Sequence, residues 1–288
     1  MELKKMINEK GLLFDGAMGT MLIQAGIVCG KASEYWNLEK PNVIRDIHES
    51  YIQAGSTVIT TNTFGGTRLK LKKAKLDRQT EEINTQAVHI ARSASGEKLV
   101  AGDIGPTGEM LLPMGEKSPQ ELRSVFREQA GFLDEAGVDL FIIETMFDIQ
   151  ESLAAIRAVR DITDKPLFAT LTFEYKNGRF ATMMGNPAID SLKQLQDNGA
   201  DAVGANCSVG SDTMVLLAKK LAEEVDGWKI IQPNAGMPKT EGSQLIYPED
   251  EDYFSANIQK IRSFGVQIVG GCCGTTPEYI KAIRAKLG

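Results

Sequence analysis

The feature that most restricts the fold of this chain is a count. Eight times in succession a short apolar run is followed by a helix-patterned stretch, with no break in the series. The apolar runs are Leu12–Phe14, Thr57–Thr60, Leu99–Gly102, Val138–Ile143, Leu167–Phe173, Ala200–Ala205, Lys229–Gln232 and Val266–Val269. They are rich in Val, Ile and Leu and lack strict alternation, as strands do when both faces of a parallel sheet are covered. The first helix spans 42–54, capped by Asn42 and closed by Gly55; the second covers 78–95. The third starts at Ser118-Pro119 and stops at Gly137, and others cover 149–160, 187–198, 211–225 and 252–264, with a last one from Pro277. No linker or composition shift divides the 288 residues. Eight such units predict one closed (β/α)8 TIM barrel over residues 1–288, an α/β fold, rather than an open sheet.

Composition narrows the function classes. A net charge of −6 with Lys and Arg spread evenly leaves no basic stripe for nucleic acid. No apolar run approaches the roughly 18 residues a membrane span needs. The first ten residues are charged and lack a signal-peptide core, so the expected location is the cytoplasm. Four cysteines, two of them adjacent, do not make a disulfide scaffold; such clustering in a reducing compartment points to metal or redox chemistry.

In a barrel of this kind the working face lies at the C-terminal ends of the strands. Polar residues collect there with regularity: Asp15 after the first strand, Asn62 and Thr63 after the second, Asp103 after the third, and Glu144 after the fourth. Asn206 and Cys207 follow the sixth strand, Asn234 the seventh, and Cys272 and Cys273 the eighth. Neighbouring side chains on a strand point to opposite faces, so Cys272 and Cys273 reach one point only where the chain turns, which the flanking glycines permit. Only one strand separates the sixth from the eighth, so Cys207 can join the pair. Three thiolates without a nearby His suit zinc, with a fourth position open to an exchangeable ligand. A strained vicinal disulfide is the competing reading of the pair. Cys29 has no partner in this pattern, and His48 and His89 fall within helices and read as structural.

Zinc held by three thiolates carries a net negative charge, which makes it a poor Lewis acid for a carbonyl. It can still hold an incoming thiol as a nucleophilic thiolate at neutral pH, so alkyl transfer to sulfur is the expected reaction. Asp15 and Glu144, on opposite sides of the mouth, suit a substrate ammonium, and the backbone N–H groups of residues 16–19 suit a carboxylate. A thiol amino acid meets all three demands.

The motifs Asp15-Gly-Ala-Met-Gly-Thr, Thr61-Asn-Thr-Phe-Gly and Gly102-Asp-Ile-Gly-Pro-Thr-Gly are joined downstream by Glu144-Thr, Gly204-Ala-Asn-Cys207, Pro233-Asn-Ala-Gly and Gly270-Gly-Cys-Cys-Gly-Thr. Over essentially its whole length the chain thereby resembles the zinc-dependent homocysteine S-methyltransferases. The third motif and Asn62-Thr-Phe-Gly-Gly-Thr-Arg look most like the first module of cobalamin-dependent methionine synthase. The resemblance implies zinc on Cys207, Cys272 and Cys273, and homocysteine held through its amino group by Asp15 and Glu144 with Thr63 nearby. It also implies a protein oxygen on zinc when homocysteine is absent, for which Asn234 is the candidate. Methionine synthases of that type continue into folate, cobalamin and reactivation modules, whereas this chain ends after the first barrel. Either a separate methyl-corrinoid protein delivers the methyl group or the chain is an excised module; the resemblance favours methylcobalamin on another domain or protein as the donor. A small onium donor such as betaine or S-methylmethionine, with Trp36 and Tyr35 as the aromatic candidates, is an alternative. A zinc- and homocysteine-binding module without catalysis and a metal-free phosphate-binding barrel are the others.

Overall fold

The computed structural model describes residues 2–28, 32–241 and 244–288. Cys29 lies outside the described residues. Eight parallel strands form the central sheet: β1 (Leu12–Leu13), β2 (Val58–Thr60), β3 (Leu99–Ile104), β4 (Leu140–Met146), β5 (Leu167–Leu171), β6 (Ala202–Gly210), β7 (Trp228–Asn234) and β8 (Ile268–Val269). Their spatial order is β1-β8-β7-β6-β5-β4-β3-β2. The remaining seam is closed by Thr57, whose N–H donates to the Leu13 carbonyl at 2.7 Å and whose hydroxyl accepts from the Leu13 N–H at 2.9 Å. The sheet is thus a barrel, as the strand count predicts.

The outer ring is α1 (Pro41–Ala54), α2 (Thr80–Ser95), α3 (Pro119–Ala136), α4 (Ile149–Arg160), α5 (Ala188–Asp197), α6 (Ser211–Glu224), α7 (Glu251–Ser263) and α8 (Pro277–Leu287). Local chemistry accounts for their ends. Ser118 and Glu121 form a reciprocal capping box at the start of α3, with Pro119 at its first position. Gly55 and Gly137 close α1 and α3 at φ of 109° and 95°, a conformation that costs a residue with a Cβ. Asn42, expected as a cap, is instead inside α1; Pro41 takes the first helical position because its ring already holds a helical φ.

Two apolar layers hold the barrel. Outside the sheet, strand residues such as Ile59, Phe141 and Ile143 pack under the helices, where they meet Tyr51, Phe126 and Ile156. Inside, Leu12, Phe14, Val58, Ile142, Phe168 and Ile230 fill the barrel, with the Phe14 and Phe168 rings 6.1 Å apart. A helix that the sequence reading did not assign, Glu2–Glu9, joins this inner core through Ile7, which is 1% exposed. Leu3, Met6 and Ile7 stand at helical spacing on one face of it, so its charged residues line the other. The inner layer leaves open only the end where the strands finish.

Candidate active site

At that end the strands run further than their apolar patterns suggest. Asp103 lies within β3, Glu144 and Thr145 within β4, and Asn206 and Cys207 within β6. The extensions are irregular: pairing shifts between Ile143 and Met146 and again between Asn206 and Gly210. Thr145, Cys207 and Ser208 adopt φ of 59°, 58° and 58°. Left-handed backbone costs an L-residue about 1–2 kcal/mol, and such strain gathers where a side chain must be re-aimed. Here it turns Cys207 toward the barrel axis.

The double cysteine turns as its glycines allow. Cys272, three residues past the end of β8, enters a tight turn in which the Thr275 N–H and hydroxyl both donate to the Cys272 carbonyl, at 3.0 and 2.7 Å. Gly274 sits at φ of 87° with the Tyr247 ring against its Cα, so a side chain would be strained and would collide there. The turn puts both thiols on the side facing Cys207. The three Sγ atoms lie within 4.8 Å of one another, and Cys207 and Cys273 are 3.8 Å apart. Two ligands about 2.3 Å from a tetrahedral zinc stand about 3.8 Å apart, so the spacing suits that ion. All three thiols are free rather than disulfide-bonded. Cys207 is drawn down to about 3 by S–H donation from Cys272 and Cys273; the same contact pushes Cys273 up to about 12 and Cys272 well above the ordinary thiol value. The cluster thus keeps a single negative charge until a cation deprotonates the rest.

Asn234, the last residue of β7, reaches Cys207 with its side-chain amide. It is 4% exposed and its Oδ1 has no hydrogen-bond partner. An unpartnered buried amide oxygen beside three thiols is a vacant hard donor at a soft cluster, and it fits a fourth, exchangeable metal ligand.

The thiols form one wall of a cavity of about 320 Å³ whose other walls carry Asp15, Asp103, Glu144 and the stretch from Gly16 to Thr20, which enters a short helix over Met18–Gln24. Asp15 accepts from the Thr60 N–H at 2.8 Å and from the Thr60 hydroxyl at 3.0 Å, so it also ties the β1–β2 seam. Burial pushes its carboxyl up to about 7 against those bonds. Glu144 is likewise raised to about 7, by burial and then by the Cys207 charge. Asp103 lies within hydrogen-bonding reach of Glu144 and is raised well above the carboxylate range by burial and by that neighbour; its Oδ1 has no partner. Two buried carboxyls and a half-buried one, with no cation among them, suit a single ammonium group.

One expected position differs. Thr63 is fully buried and does not line the cavity. Its hydroxyl donates to the Asp103 carbonyl at 2.7 Å and lies 2.7 Å from the Thr61 hydroxyl, because a turn closed by the Thr63 N–H and the Thr61 carbonyl rotates the chain after β2. Thr61 and Asn62 face the cavity instead. Trp36 is buried with the Lys40 ammonium 4.1 Å from its ring centre, and Tyr35 lines a neighbouring cleft rather than this cavity. His48 is buried without a partner for either ring nitrogen, and burial lowers it to about 4, as befits a structural residue. Three groups at the site went unassigned from sequence: Thr60, Tyr247 and, as a hub of contacts, Asn206. Only Asn206 carried a signal, its place beside Cys207.

A sequence model of the homocysteine S-methyltransferases matches residues 12–287. The chain belongs to that family. As a member it is a homocysteine S-methyltransferase, and the resemblance read from its motifs holds. Among solved structures, the metallated form of the homocysteine methyltransferase MmuM from Escherichia coli superposes with a TM-score of 0.82 at 23% identity, covering 99% of this chain and 100% of that one. The apo form of the same enzyme gives 0.77 at 24% identity, over 99% and 100% of the two chains. A methyltransferase from Methanosarcina mazei shares the fold at 0.62 and 13% identity, over 97% of this chain and 94% of its own. Among the described residues no helix is long and apolar enough to cross a membrane.

Proposed function

We propose that this enzyme transfers a methyl group to the thiolate of L-homocysteine, giving methionine, with zinc bound by Cys207, Cys272 and Cys273. The observation that carries the reading is the convergence of three thiols and an ammonium-sized carboxyl pocket in one cavity. Bound zinc would supply positive charge that holds an incoming thiol in its nucleophilic, deprotonated form.

The chain's own groups supply the rest. Asp15 and Glu144 receive the ammonium from opposite walls, and gaining a cation draws both carboxyls back to the ionised form. Residues 16–20 offer the carboxylate the entry to the helix Met18–Gln24, where the only polar side chain is Thr20. Anchoring the amino acid at both ends directs its side chain at the sulfur cluster and away from the filled barrel interior. Asn234 Oδ1, buried and without a hydrogen-bond partner, would be the residue to hold the ion's fourth position in the substrate-free state, leaving that position exchangeable for the substrate sulfur. Thr63, through Asp103, steadies the pocket wall without touching substrate. The methylated product is a neutral thioether and a weak ligand, which favours release.

The donor we propose is methylcobalamin on a separate methyl-corrinoid domain or protein, as the first-module motifs suggest. The aromatic placement supports this over a quaternary-ammonium donor: the cavity is lined by Phe64 and Tyr247, and the Phe64 ring already has the Lys70 ammonium 5.2 Å from its centre. Three free thiols suit a reducing compartment, the cytoplasm. The test is proton release on adding homocysteine to zinc-loaded protein, compared with Cys273→Ala, followed by turnover with methylcobalamin, S-methylmethionine or betaine. Equal homocysteine affinity with and without zinc would refute the mechanism. Turnover with an onium compound and no corrinoid would refute the donor assignment.

A further inference from the structure

Between the carboxyl pocket and the sulfur cluster stands one side chain that touches both. Asn206, in β6, is fully buried. Its Oδ1 accepts from the Thr145 N–H at 2.8 Å and from the Thr170 hydroxyl at 2.7 Å. Its Nδ2 donates to Glu144 Oε2 at 2.6 Å and to Thr145 Oγ1 at 2.7 Å, and lies 3.8 Å from Cys272 Sγ. A backbone N–H can only donate, so the oxygen must face Thr145 and the amino group must face the carboxylate. Every bonding site of the amide is used, by residues on β4 and β5, while the next residue in the chain is Cys207.

The backbone geometry shows what this arrangement fixes. Thr145 and Cys207 both hold left-handed backbone, at φ of 59° and 58°. Strained conformations persist only where the surroundings over-determine them. The amide oxygen pins the first through the Thr145 N–H, and the amide's own residue is the neighbour of the second. Glu144 therefore cannot shift without disturbing the strand that presents Cys207.

We infer that Asn206 is a positioning residue that links the ammonium-binding carboxylate to the metal cluster, so that amino-acid binding and zinc retention support each other. The inference rests on the homocysteine reading of the site but is decided by measurements that need no methyl transfer. Removing the amide strips a charge-assisted bond from Glu144 and leaves Thr145 without its clamp. Loss of one such bond corresponds to about a 10- to 100-fold change in an equilibrium constant.

The experiment measures methionine binding by calorimetry and zinc removal by a chelator, in wild type, Asn206→Ala, Glu144→Gln and the double variant. Asn206→Ala should bind methionine about 10- to 100-fold more weakly and lose zinc several-fold faster. With homocysteine and the active donor its KM should rise while kcat changes much less, because the lost contact is made equally in the ground and transition states. The double variant should bind methionine no worse than Glu144→Gln, since Asn206 acts through that carboxylate. Asn206→Asp keeps the acceptor and loses the donor, so it should fail as badly as the alanine variant. Should Asn206→Ala not fold, Thr170→Val, which removes one bond to the amide, should move both readouts the same way by a few-fold. Methionine binding within twofold of wild type, additive effects in the double variant, or recovery in Asn206→Asp would each overturn the inference. A wild type that binds zinc but no amino acid would refute the homocysteine reading instead, and unchanged zinc removal in Asn206→Ala would then refute this one separately.

Discussion

Replacing Asp15 by Asn should make the substrate-free protein more stable at pH 8 and worse at its work. Asp15 is buried, and its carboxyl is raised from 3.8 to about 7 mainly by that burial. The folded state therefore holds a proton that the unfolded chain has given up between those two values. Stability from this group is fully present below pH 3.8 and is lost as pH rises through about 7. At about 1.4 kcal/mol per unit, the span of roughly three units sets the loss at about 4 kcal/mol by pH 8. The Asn side chain keeps an acceptor for the Thr60 N–H, which now lies 2.8 Å from Asp15, and does not titrate. Urea unfolding of zinc-free protein at pH 5 and pH 8 gives the comparison. The stability difference between Asp15→Asn and wild type should grow by about 3 kcal/mol from pH 5 to pH 8, because about two of those units lie between them. Methionine binding should move the other way. Wild-type affinity should rise about tenfold per unit below pH 7 for each carboxyl that must ionise, and the variant should lose one of those dependences. Parallel pH profiles of stability in the two proteins would refute the reasoning.

Other perturbations test other parts. Cys207→Ala, Cys272→Ala and Cys273→Ala should each reduce bound zinc measured by atomic emission after dialysis against a mild chelator, since two thiols hold the ion far less well than three. Asn234→Ala should speed zinc loss in the absence of homocysteine and have little effect in its presence, read by chelator competition with and without substrate. Ile7→Ala should destabilise the barrel by about 2–4 kcal/mol in denaturant titration while leaving the KM for homocysteine unchanged, because Ile7 fills the end remote from the site. Ser118→Ala, which breaks the capping box of α3, should cost about 1 kcal/mol in the same assay.

The barrel was legible because its signal is repeated and local: each strand announces itself by an apolar run and each helix by its spacing. The register of those strands was enough to place Cys207 with Cys272 and Cys273, and the glycines around the pair foretold the turn that aims both thiols one way. Strand ends were harder. An apolar pattern stops at Ile143 and Ala205, but the strands continue through irregular residues whose backbone is held by tertiary contacts. Thr63 shows the same limit on a smaller scale, since one turn after β2 decides that Thr61 rather than Thr63 faces the cavity. Lys and Glu mask the apolar face of the N-terminal helix, and its role depends on the open barrel end that it meets. Its place beside Cys207 marked Asn206 as a site residue, but its contacts left no trace in the sequence. An amide that joins residues from three strands leaves no spacing pattern in a linear sequence.

The central claim is that the three-thiol cluster binds the substrate sulfur directly on zinc. X-ray absorption at the zinc edge, with and without homocysteine, tests it most directly. The account predicts three sulfurs and one light atom around zinc in the free enzyme, and four sulfurs once homocysteine is added. An unchanged sulfur count with homocysteine bound would contradict it.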